Sequence, residues 1–126
     1  MLITSIPQYV QGLTNAKLKL TTTNATVLYT APSSSDFNAS VVNSILVAEV
    51  SGNADTIIVT ITNGSVVFTL FHVKAVGAST TIELLTENLI LQSGEILTVT
   101  AATANRLHVV ASIQEFALHR TPQSSL

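Results

Sequence analysis

The side chains able to do chemistry in this chain are seven acids, three histidines and many hydroxyls. The acids are Asp36, Glu49, Asp55, Glu83, Glu87, Glu95 and Glu115. Glycosidic hydrolysis needs two carboxylates facing each other across a cleft. Only Glu83 and Glu87 are near neighbours, and Leu84-Leu85-Thr86-Glu87-Asn88 reads as a loop edge. Glu95 follows Ser93-Gly94 between two apolar runs. There the glycine supplies backbone freedom and the carboxylate a solvated tip, as a turn requires. His72, His108 and His119 lack the His-x-His or His-Glu-x-x-His spacing of local metal ligands. A metal would need His72 and His108 to meet across strands, or one histidine per subunit around a symmetry axis. No Gly-x-Ser-x-Gly elbow and no glycine-rich phosphate loop occurs, and no nucleophile, base and orienting group form a trio. There is no cysteine, which excludes disulfides and thiolate chemistry. The expectation is a non-enzyme with no catalytic, cofactor-binding or metal-ligating set.

The elements that would have to position any such group are strands. Thr56-Ile-Ile-Val-Thr-Ile-Thr62 alternates, with Ile57, Val59 and Ile61 on one face. Asn63-Gly64 follows, a two-residue hairpin signal because both positions tolerate positive φ, and Val66 to Val76 returns. Further strands are expected at Lys17–Thr22, Thr26–Thr30, Ser40–Val50, Thr81–Leu85, Leu89–Gln92, Ile96–Ala101 and Leu107–Phe116. Helical spacing around Ala39 to Val47 is outweighed by its Val, Ile and Ser content. Eight or nine short strands predict an all-β fold, a two-sheet antiparallel sandwich of jelly-roll or Greek-key type. Residues 1–15, with Pro7 and Gly12, read as an extended N-terminal arm. Residues 16–118 read as the sandwich domain and 119–126 as a flexible tail.

Two strands are apolar on both faces. Ser40 to Val50 sets Val41, Ile45 and Val47 against Val42, Leu46, Ala48 and Val50. Val66 to Val76 sets Val66, Phe68, Leu70 and Val76 against Val67, Phe71, Val73 and Ala75. A sandwich sheet normally keeps one face wet, so a second apolar face calls for a cover. Charge points the same way. Of 126 residues, 10% are charged and 47% hydrophobic, with net charge −2. A typical domain carries about 25% charged residues. A small monomer uses charge to stay apart from its copies, so a cyclic homo-oligomer is expected. With no basic run, neither nucleic acid nor an anionic membrane is an expected partner. The N-terminal Met1-Leu-Ile-Thr-Ser-Ile-Pro7 lacks the charged start of a signal peptide, and no run approaches the ~20 apolar residues of a membrane span.

The succession of segments is familiar. Ala25-Thr-Val-Leu-Tyr-Thr-Ala-Pro32 precedes Val41-Val-Asn-Ser-Ile-Leu-Val-Ala-Glu49. Then come Val76-Gly-Ala-Ser-Thr80, Leu89-Ile-Leu-Gln-Ser-Gly-Glu95 and Leu107-His-Val-Val-Ala-Ser-Ile-Gln-Glu115. From Ala25 to Glu115 the chain resembles small β-sandwich structural proteins of tailed bacteriophages, among them head decoration, cement and fibre-associated proteins. Their scheme has a Tyr-Thr-x-Pro strand, a Leu-x-x-Gly-Asp turn and a closing Ser-x-x-Glu. Here Glu49 stands where Asn is common, and Glu95 replaces the Asp. The resemblance implies a non-enzymatic virion protein assembled in the host cytoplasm, a homotrimer contacting the major capsid protein or another virion protein. A cement role would use residues 1–15 and the apolar strands to bridge shell subunits. The alternatives are a fibre, neck or tail component, or a carbohydrate-binding adhesive module. A sugar site favours aromatic platforms, and here there is no Trp, while Phe68 and Phe71 are expected on opposite faces. A cupin-type enzyme would need clustered His and acid ligands that this sequence does not group.

Overall fold

Among the described residues, runs of β-branched residues punctuated by Gly, Ser and Asn build nine strands. They are β1 (Pro7–Lys19), β2 (Thr26–Thr30), β3 (Phe37–Glu49), β4 (Asp55–Asn63), β5 (Val66–Val76), β6 (Thr81–Glu83), β7 (Leu89–Leu91), β8 (Ile96–Ala101) and β9 (Leu107–Arg120). The computed structural model describes the backbone of residues 7–120 and the side chains of residues 12–117. Among the described residues there is no helix.

The pairings are nested. β4 pairs β5, β3 pairs β6 and β7, β2 pairs β8 and β1 pairs β9, all antiparallel. The chain is thus one long hairpin with its tip between β4 and β5, folded over on itself. β3–β9 and β4–β8 pairing closes two sheets, ordered β1-β9-β3-β6 with β7 also on β3, and β2-β8-β4-β5. With β6 and β7 taken as one interrupted strand, this is the jelly-roll order. The core between the sheets includes Val42, Ile45, Val47, Ile57, Val59, Leu97, Val99, Leu107, Val109 and Ala111. β4 alternates strictly, its Ile57, Val59 and Ile61 all buried, as its sequence predicts.

Three local features depart from the sequence reading. The hairpin tip is Gly64-Ser65 rather than Asn63-Gly64, because Asn63 still pairs with Val66. Only Gly64 needs positive φ (63°), as in a turn with glycine at the first central position. Next, β3 shifts register between Val42 and Ser44. The extra residue turns Val42 inward with Ile45 and Val47 and leaves Val41 outside, where simple alternation had placed Val41 with Ile45. Finally, residues 7–15 form the first part of β1, in register with Ser112 to Arg120 of β9. His119 and Arg120, expected in the tail, end β9 opposite Gln8 and Pro7. Residues 1–6 and 121–126 of the expected arm and tail lie outside the described residues.

Candidate functional site

The carboxylates are mostly committed to backbone. Glu49 ends β3 with its side chain buried. It accepts the Ser51 amide (2.8 Å) and hydroxyl (2.5 Å), the Gly52 amide (2.8 Å) and the Ser79 amide (2.9 Å). Burial alone would raise its pKa, but the Ser51 hydroxyl and the Ser79, Ser51 and Gly52 amides outweigh that and hold it at about 2. Glu49 therefore ties the β3–β4 turn to the β5–β6 turn. Glu83 does similar work at the β3 bulge, accepting the Ser44 hydroxyl and the amides of Ile45 (2.7 Å) and Leu85 (3.2 Å). Against the upward pull of burial, these donors lower its pKa. Glu95 is no free tip: it accepts the Gln92 amide (2.6 Å) and the Asn63 side chain (3.1 Å), joining the β7–β8 turn to the β4–β5 hairpin. Asp55 accepts the Thr103 amide at 3.2 Å.

One polar trio crosses the core. The Tyr29 hydroxyl on β2 lies 2.6 Å from the Ser40 hydroxyl on β3 and donates to Glu115 on β9. Burial first, then the bond to Glu115, pushes the Tyr29 phenol up to about 12. Ser40 is fully buried. The trio latches one sheet to the other, and sequence spacing gave no sign of it because Glu115 reaches Tyr29 and Ser40 only once β9 has folded back beside β3. The histidines stay apart. His72 lies on β5 of one sheet and His108 on β9 of the other, while the side chain of His119 is outside the described residues. Among the described residues no three His, Asp or Glu are grouped to hold a metal ion.

The open side of the sandwich holds a cleft of about 500 Å³ where β5 meets the β6–β7 connection. Leu70, Phe71, Leu84 and Leu89 line it, with Lys74, Glu83, Glu87 and Asn88 also on its wall. The cleft does bring Glu83 and Glu87 together, which the loop-edge reading had not foreseen. Glu83, however, is already engaged by its three donors.

The most unusual surface is β5 itself. It is an edge strand of eleven residues, and Val76 alone is buried. Val66, Val67 and Phe68 are 54%, 57% and 54% exposed, and Leu70 and Val73 are exposed as well. β5 shifts register against β4 at two places. As a result Phe68 faces Ile61 and Phe71 faces Val59, both on the core side of β4, so the two rings share a face after all. Val73 sits at φ 51°, a left-handed conformation that is costly for a β-branched residue. A long apolar edge strand presents unpaired backbone groups on which another strand can pair. No family model and no curated protein matches this chain.

Proposed function

We propose that this protein is a non-enzymatic structural component of a bacteriophage virion, a decoration or cement protein that docks its β5 edge on a neighbouring shell protein. The observation that carries the reading is the uncovered β5 edge: five large apolar side chains exposed on one strand whose only Lys, Arg, Asp or Glu is Lys74. Backbone strain at an exposed valine fits a strand shaped for a partner rather than for the isolated fold. Jelly rolls recur in viral capsid proteins, which supports the reading by analogy of fold. Apolar contact contributes about 25 cal/mol per Å² buried, and repetition over a shell converts weak contacts into firm attachment. The test is to purify particles of the encoding phage and quantify the chain against the major shell protein. A fixed stoichiometric ratio is expected, with occupancy falling about tenfold or more for Phe68→Lys. Absence of the chain from purified particles would end the proposal.

A second reading rests on the cleft beside β5. Phe71 offers an aromatic face there, and Lys74, Glu87 and Asn88 offer hydrogen-bonding groups, an arrangement suited to a sugar ring. Glycan-array binding that is lost in Phe71→Ala would favour an adhesive module.

A further inference from the structure

We propose that the outer face of the β1-β9-β3-β6 sheet is a self-association surface, on which two copies stack face to face about a two-fold axis parallel to the strands and lying between β9 and β3. Cross-strand rows carry the inference. Lys17 pairs with Val110, Val110 with Leu46 and Leu46 with Glu83, one row across four strands. Leu13, Gln114, Val41 and Ile90 form another. Val109, Ala111 and Ile113 face the core, so both rows lie on the outer side. Leu13 is 78% exposed and Ile90 62%, with Leu46 and Val110 near 40% and 37%.

The charges are placed asymmetrically. Lys17 and Lys19 lie on the β1 edge, and Glu83 lies on the β6 edge. Three strand spacings separate Lys17 from Glu83, about 14 Å. A two-fold along the strands lays the β1 edge of one copy over the β6 edge of the other. Lys17 then meets Glu83 of the second copy, Val110 covers its Leu46, and Leu13 covers its Ile90. Each contact occurs twice, as an isologous interface requires. A two-fold across the strands would instead set lysine edge on lysine edge, which like-charge repulsion disfavours. Glu83 is preorganised for its role, since Ser44 and two backbone amides hold the carboxylate in place. The face is about 40 Å long and 15–20 Å wide by strand geometry, close to the ~800 Å² per partner of a stable complex. A second copy is favoured over other occupants because the pattern complements itself: cationic at one edge, anionic at the other, and between them Val110, Leu46 and Val41 interspersed with the uncharged Ser112, Gln114 and Ser44.

The β5 edge belongs to the other sheet, Glu83 being the one interface residue that also lines the cleft beside β5, and the proposal does not depend on the virion reading. Sedimentation equilibrium of the full chain should give twice the 13.3 kDa of one chain. Val110→Asp and Lys17→Glu should each weaken the dimer about tenfold or more. Both sites are solvent-facing, so circular dichroism should stay as in the wild type, while the melting temperature should lose the rise with protein concentration that a dimer shows. Phe68→Lys, on the other surface, should leave the dimer intact. A monomer at all concentrations, a trimer such as the phage resemblance implies, or a dimer untouched by both face variants would overturn the proposal. So would dissociation by Phe68→Lys alone.

Discussion

Glu49 shows how one side chain can organise two turns. Four donors converge on it from the β3–β4 and β5–β6 connections. Its folded pKa of about 2 lies below the ordinary 4.5. The sign follows from linkage: a depressed carboxylate stabilises the fold fully above its unfolded value, and the contribution is lost as pH falls through the folded value. Glu49→Gln is therefore expected to melt well below the wild type at pH 7. The gap should narrow below pH 4.5 and close near pH 2. Melting curves of both proteins across that range check it, and a gap independent of pH would mean that the charge is not what holds the turns. None of this was legible in the sequence. In the sequence Glu49 is one of seven scattered acids, because the amide it collects from residue 79 arrives only once the chain has folded back.

At the scale of elements, alternation told most of the truth. The inward set of β4, the hairpin that follows it and the approximate place of β2 to β9 could be read from period-two patterning and turn residues, since those signals are local. Bulges could not be read. An extra residue in β3 or β5 is visible only against the partner strand, so Val41 and Val42 exchanged faces and Phe71 joined Phe68. The same irregularity makes β5 testable as an element. Val73 pays for its left-handed backbone without burying its side chain. Asn adopts that conformation more readily, so Val73→Asn should raise stability by about 1 kcal/mol. A higher urea midpoint with an unchanged slope is the expected readout. A drop would show that Val73 packs against the sheet more than its exposure suggests. If β5 is the docking edge, the stabilised variant should also occupy fewer particles, the exchange of function for stability that strained sites display.

For the whole molecule, the nested hairpin places β1 and β9 side by side, so the outermost strands form the last and most distant pairing. That distance is why residues 7–15 read as an arm. Pro7 and Gly12 interrupt the alternation, and nothing nearby in sequence reveals a partner about a hundred residues away. The pairing gives truncation a sharp expectation. Removing residues 1–6 takes away no described pair, and the melting temperature should stay within about 2 °C of the wild type, within the range of neutral surface changes. Removing residues 1–15 deletes the pairs from Pro7↔Arg120 to Asn15↔Ser112, uncovers Ile113 on its Thr14 side and exposes the edge of β9. At roughly 1 kcal/mol net per ladder bond, the loss is at least about 3 kcal/mol. For a domain of this size that lowers the melting temperature by about 10 °C or more. The longer truncation should also aggregate, because β9 is a long strand with an unpaired edge. An equally stable protein after both truncations would mean that the β1–β9 ladder adds no net stability, and residues 1–15 would then act as the free arm their sequence suggests.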